Sequence, residues 1–271
     1  MDKKFIQLDE GIKIAYQSYG DGENTIVLFH GLVGGSRLNP ETISAIDDSN
    51  TRVIALERIG YGDSSQLELK SVGGWKSFIC QIFSKLNIKK AEAVGISAGA
   101  PYAYTAASAL PDKVTRVWIL SGVPAVYEEF ILECYSEKDQ QFYKNFLQTD
   151  LPEIQNYYRN HMESVLKQFN DAPPYIVETL EEIIAQNCYG MSLESKLQIT
   201  PWDIDFESIN QHITMFHSPD DEMIPFNAAK EMASRLKDCS FRKMEITGNN
   251  IHIESSAAAF LQILKTSRQQ Y

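Results

Sequence analysis

The apolar run Ala91–Ile96 ends on Gly95-Ile96-Ser97-Ala98-Gly99, and a stretch of small residues over 98–110 follows with no spacer. No other feature of the chain restricts its folding as much. A strand that passes directly into a helix leaves its apex residue in strained dihedrals, where neighbouring side chains would collide. Gly95 and Gly99 remove those side chains. The apex hydroxyl then stands above the end of a sheet, and the first amides of the helix, with the positive end of its dipole, point at the same spot. Ser97 is therefore a candidate nucleophile.

The rest of the chain alternates in the same manner. Short strands closed by a turn at Asp9-Glu10-Gly11 are expected over 5–8 and 12–16, with further strands over 25–29, 52–56, 91–96, 117–120, 213–216 and 241–246. The run over 25–29 is continuously apolar, as in a strand covered on both faces. Between strands, Trp75, Phe78, Ile79, Ile82, Phe83 and Leu86 recur at helical spacing, as do Ala229, Met232, Ala233 and Leu236. This order predicts an α/β fold with a mostly parallel eight-stranded sheet and helices on both faces. From about Tyr127 to Thr200 strand signals stop. Phe142 with Phe146, and Ile176 with Leu180, Ile183 and Ile184, predict three or four helices punctuated by Pro152 and Pro173-Pro174. The expected division is a core of residues 1–125 and 202–271 with an inserted helical cap over 126–201.

Composition narrows the function classes. Among 271 residues, 25 Lys and Arg stand against 36 Asp and Glu, a net charge of −11, which disfavours nucleic acid and anionic membranes as partners. The chain holds no apolar stretch of about 18 residues and no apolar leader after Met1, so a cytoplasmic location is expected. Cys80, Cys134, Cys188 and Cys239 lie far apart and no histidines pair at ligand spacing, so reduced thiols and no metal site are expected.

After the strand over 25–29 comes His30-Gly31-Leu32-Val33-Gly34-Gly35-Ser36-Arg37. A glycine-rich loop at a strand's C-terminal end lets backbone amides approach a developing oxyanion, and the two candidate donors are the amides of Leu32 and Ala98. His30-Gly31 with Gly35-Ser36-Arg37, Glu57-Arg58-Ile59-Gly60-Tyr61-Gly62-Asp63-Ser64, the serine motif with Ala100-Pro101-Tyr102-Ala103, and Pro201-Trp202 together resemble the α/β-hydrolase family. They are similar to a bacterial subgroup of general serine hydrolases and esterases, and the likeness spans nearly all the chain except the cap. One departure is Glu57, where Asp is usual before Arg58. The resemblance implies cleavage of a small ester or related acyl substrate through a Ser-Asp-His triad, with no cofactor.

The implied chain order is serine, acid, histidine. In His217-Ser218-Pro219-Asp220-Asp221-Glu222-Met223-Ile224-Pro225 the family pattern sets the acid four residues before the proline, at Asp221, with Asp220 as the alternative. Of His30, His161, His212, His217 and His252, only His252 follows the acid, ahead of a helix expected near Ser255 or Ser256. The family usually sets its histidine directly after a glycine, which in Gly248-Asn249-Asn250-Ile251-His252 is the place of Asn249. Two readings stand: a working hydrolase with His252 as base, or a catalytically impaired ligand-binding protein with Asn249 in the histidine's place, since Asn cannot take a proton from serine at neutral pH.

Overall fold

The computed structural model describes residues 2–168 and 172–267. Eight strands form one sheet: β1 (Lys4–Gln7), β2 (Lys13–Tyr19), β3 (Asn24–Phe29), β4 (Thr51–Leu56), β5 (Ala91–Ile96), β6 (Val114–Leu120), β7 (Ile213–His217) and β8 (Cys239–Lys243). Their order is β1-β2-β4-β3-β5-β6-β7-β8, antiparallel at the β1–β2 and β2–β4 pairs and parallel elsewhere. β3 and β5 thus lie side by side near the centre, which brings the serine junction against the glycine-rich loop.

Side chains alternate across the pleat and build two cores. Ile26 and Leu28 of β3, Val53 and Ala55 of β4, and Trp118 and Leu120 of β6 face one layer, formed by α1 (Pro40–Asp47) and α10 (Ile251–Ser267), whose Phe260, Ile263 and Leu264 are buried there. Their neighbours Val27, Phe29, Ile54, Leu56, Val117 and Ile119 face the other layer. There α2 (Lys76–Lys85), α3 (Ala100–Ala109) and α9 (Phe226–Ser234) pack, and the same buried cluster runs on into the helices between β6 and β7.

Those helices number five among the described residues, against the three or four expected: α4 (Glu129–Leu132), α5 (Glu137–Gln148), α6 (Leu151–Gln168), α7 (Pro174–Ala185) and α8 (Tyr189–Gln198). Pro152 and Pro174 sit in first turns, where a missing amide hydrogen is not felt. The chain turns between α7 and α8 through Asn187 and Cys188, both in the left-handed region. Two other expectations shift. β8 spans Cys239–Lys243 rather than 241–246, because its sole partner β7 stops at His217 and the last rung is the Met244 amide on the His217 carbonyl, 2.8 Å. The final helix starts at Ile251, not near Ser255, because Asn250, at φ 58°, turns the chain and offers its carbonyl to the amides of Ile253 and Glu254. No helix among the described residues is long and apolar enough to cross a membrane.

Candidate active site

β5 delivers Ser97 at its C-terminal end with φ 49°, a left-handed conformation that costs a non-glycine residue about 1–3 kcal/mol and persists only where the surroundings enforce it. Both flanking glycines supply that enforcement. A Cβ on Gly95 would lie 2.7 Å from Ala100 Cα, and one on Gly99 would lie 2.1 Å from the Phe29 carbonyl oxygen, so α3 packs directly on β5 and β3. The glycine-rich loop comes equally close, since a Cβ on Gly31 would stand 3.5 Å from Ser97 Cβ.

Hydrogen bonds to two carbonyls orient the amides beside the serine. In a trans peptide the N–H points away from the preceding carbonyl, so fixing the carbonyl aims the amide. The Ser97 carbonyl accepts from the Val123 amide at 3.0 Å, which turns the Ala98 N–H the opposite way. The Gly31 carbonyl accepts from His30 Nδ1 at 2.7 Å and Arg58 Nη2 at 3.3 Å, which does the same for the Leu32 N–H. Arg58 Nη1 also donates to the His30 carbonyl at 2.5 Å, and the Tyr61 hydroxyl donates to the Leu32 carbonyl at 3.0 Å. Arg58 is buried and paired at 2.7 Å with buried Glu194 of α8. His30, next to Arg58, is thus committed to the loop and does not reach the acid. Burial and then the Arg58 charge hold its pKa well below the usual imidazole value.

Glu57 anchors the far side of this loop. Its Oε1 accepts from the Ser36 hydroxyl at 2.6 Å and pairs with Lys3 at 2.8 Å, and its Oε2 accepts from the Asp63 amide at 2.8 Å. A Cβ at Gly62, φ 49°, would fall 2.1 Å from that carboxylate. The glutamate therefore bonds both the glycine-rich loop and the Gly60-Tyr61-Gly62 turn. Lys3 and Arg37 continue the network to Glu182 and Glu178 on α7. Between α7 and the loop lies a half-open cleft of about 150 Å³, lined by Val33, Gly34, Gly35, Arg37, Tyr175, Ile176, Thr179 and Leu180.

The acid and the imidazole meet beyond the ends of β6 and β7. Asp221, whose side chain is fully buried, accepts at Oδ1 from the Met223 and Ile224 amides, both 2.9 Å, and at Oδ2 from His252 Nδ1 at 2.8 Å. Burial works against its charge. The hydrogen bond and charge of His252, with the two amides, outweigh burial and hold the carboxyl below the usual range. Since a carboxylate only accepts, the His252 proton sits on Nδ1 and the lone pair on Nε2. That Nε2 is buried and, among the described residues, has no hydrogen-bond partner, the Ser97 hydroxyl included.

The first turn of α10 is tied to the serine's neighbourhood through β6. Ser256 Oγ donates to the carbonyls of His252, 2.9 Å, and Leu120, 3.4 Å, and Ser255 Oγ bonds Ser121 Oγ at 2.6 Å. Two residues on, Val123 holds the Ser97 carbonyl. Of the other sequence candidates, Asn249 is exposed in the turn ahead of α10 and Asp220 is exposed, while Asp221 takes His252. Three residues in this region carried no signal that singled them out: Glu194, Glu222, whose Oε2 accepts from the His252 amide at 3.3 Å, and His217, whose Nε2 lies 3.5 Å from Asp221 Oδ2. Among the described residues no cluster of His, Cys, Asp and Glu forms a metal-binding set.

The model of the alpha/beta hydrolase fold family matches residues 24–254. A 2-hydroxy-6-oxononadienedioate/2-hydroxy-6-oxononatrienedioate hydrolase from a Pseudomonas species is 28% identical over 127 residues, a match that covers 44% of this chain and 44% of that one. Solved structures follow the whole chain at low identity. An esterase from Exiguobacterium antarcticum matches with TM-score 0.71 and 16% identity, covering 97% of this chain and 98% of its own. A hydrolase from Pseudomonas aeruginosa gives 0.70 and 15%, covering 97% of each. An enol-lactonase from Burkholderia xenovorans gives 0.67 and 14%, covering 98% and 100%. With the family model spanning most of its length, the chain belongs to the alpha/beta hydrolase fold family.

Proposed function

We propose that the protein is a serine hydrolase of small carboxylic esters or closely related acyl compounds. The observation that carries this reading is the Asp221–His252 hydrogen bond of 2.8 Å, which leaves a bare, buried Nε2 at the sheet end that also carries the left-handed Ser97. In the proposed reaction Ser97 Oγ attacks the substrate carbonyl carbon while its proton passes to His252 Nε2, and Asp221 stabilises the imidazolium. The amides of Leu32 and Ala98 receive the oxyanion. The imidazolium gives its proton to the departing alcohol, leaving an acyl-Ser97. Water, deprotonated by His252, then releases the acid and restores the serine. The missing Ser97–His252 hydrogen bond fits a resting site that tightens on substrate.

The helical segment over 126–201 acts in this reading as a cap, joined to the core by the buried Arg58–Glu194 pair and by Lys3 and Arg37 on α7. The cleft of about 150 Å³ beside the loop supports a substrate with one short group. The Arg37 charge is taken up by Glu178 and Glu182, which favours a neutral group there.

Stopped-flow release of p-nitrophenol from p-nitrophenyl butyrate tests the proposal. A burst or turnover that disappears in Ser97→Ala is the expected result. Equal release by both proteins overturns Ser97 as nucleophile, and saturable ester binding without release supports the ligand-binding alternative.

A further inference from the structure

Asp221 has more partners than the proposed triad uses. Its Oδ1 is saturated by the Met223 and Ile224 amides, and its Oδ2, which takes His252, also faces a second imidazole. That ring belongs to His217, the last residue of β7 and fully buried. His217 Nε2 stands 3.0 Å from the Ile224 carbonyl and 3.5 Å from Asp221 Oδ2. A carbonyl only accepts, so the Nε2 carries the proton and donates it to the Ile224 carbonyl, while the Asp221 carboxylate stands close enough to feel the positive end of the same N–H dipole. His217 Nδ1 is buried with no hydrogen-bond partner among the described residues, so among them the ring is held by its Nε2 side.

We propose that His217 is a positioning residue for the acid–base pair, bracing the 221–224 turn through its hydrogen bond to Ile224 and setting the positive end of its Nε2–H dipole 3.5 Å from Asp221 Oδ2. The inference rests on the triad reading for its catalytic meaning, but the coupling it describes exists in the resting protein. A neutral ring suits the role. Protonated, it would compete with His252 for the same carboxylate, and burial keeps it from charging, with the His252 charge acting in the same direction against the Ile224 bond and Asp221. The charged and titratable groups around it are few. Asp221 and Glu222 lie on the turn and His252 on α10. Exposed Lys243 on β8 pairs with His217 in register, and neutral Tyr135 of the α4–α5 connection lies near enough that the Asp221 charge, after burial and Tyr143, helps push its phenol pKa up. α9 presents the Phe226 ring, 6.2 Å away.

Removing that N–H dipole leaves Asp221 more basic and its hold on the His252 imidazolium stronger. The pKa of His252 should therefore rise in His217→Phe, by roughly half a unit or more. The proton NMR titration of the histidine rings, in protein that need not turn over, reads this directly, with the two imidazoles followed separately because they share one carboxylate. Asp221→Asn serves as the control that identifies the His252 signal by lowering its pKa. His217→Gln, whose amide reaches the Nε2 position, should return the titration toward that of the parent, and His217→Asn, whose amide does not, should behave like His217→Phe. That second pair decides the matter if His217→Phe does not fold. The inference is overturned if His252 titrates identically in the parent, the Phe or Asn variant, and the Gln variant. Ester turnover is scored separately: its absence in the parent defeats the hydrolase reading, while a His252 shift in the same protein keeps the His217 coupling.

Discussion

Ser97, Asp221 and His252 differ in how visibly the sequence announces them. The serine needs two glycines and an adjoining strand and helix, all of them local, so it is legible from five residues. For the candidate acid, a strand end and the family pattern's proline four positions on point to Asp221, and in the structure Asp221 bonds His252 while Asp220 is exposed. The sequence left His252 and Asn249 both open as the base. Their placement depends on where the last helix starts, and Asn250, in the left-handed region, starts it early enough to set His252 in the first turn, bonded to Asp221, with Asn249 exposed ahead of it. Non-local partners such as Arg58–Glu194, 136 positions apart, are invisible to any spacing rule. The residue-scale prediction is that Asp221→Asn lowers kcat/KM for a short ester by about 10³–10⁴-fold, through loss of the required tautomer. Asp220→Asn should change it less than about threefold, since surface substitutions away from such features act weakly. Steady-state hydrolysis of p-nitrophenyl butyrate checks both.

At the scale of elements, the strands of the parallel core were legible because they are short, nearly continuous apolar runs, as strands covered on both faces are, separated by helical patterns. β6 and β8 differ at their ends for reasons that lie in their neighbours. β6 begins at Val114, and β8 stops at Lys243, where β7 has no further residue to pair with. The helices between β6 and β7 were legible as helices and not as a count, since α4 is a single turn, Glu129–Leu132, held by packing and too short for a periodic signal. Glu57 shows how an element-scale contact absorbs a departure from the family pattern. The longer carboxylate reaches Ser36 and the Asp63 amide only because Gly62 leaves room for it.

For the whole molecule, two buried imidazoles make stability depend on pH. His30 and His217 both have folded pKa values below the ordinary 6.5, so the folded state refuses protons that the unfolded chain accepts. Their contribution is fully present above pH 6.5 and is lost as pH falls below it, with a slope approaching about 1.4 kcal/mol per pH unit for each ring. Glu194 acts the other way lower in the range: burial raises its carboxyl above the usual value, against the pull of Arg58, so its protonation relieves a buried charge. The Asp221 contribution is lost only as pH falls through its depressed pKa, below 3.8. Urea unfolding at pH 7.5 and 5.5 should therefore show a lower midpoint at pH 5.5, and His217→Gln should shrink the difference. An unchanged midpoint would contradict the burial of both rings as neutral groups.

The proposed chemistry depends on His252 activating Ser97, and labelling by a fluorophosphonate, followed by intact mass and peptide mapping, tests that link most directly. A single adduct on Ser97 is predicted, with a labelling rate that falls at least about 100-fold in His252→Asn and stays within about threefold of the parent in Asn249→Ala. Labelling of Ser97 at the parent's rate in His252→Asn, or no adduct on Ser97 at all, would contradict the account.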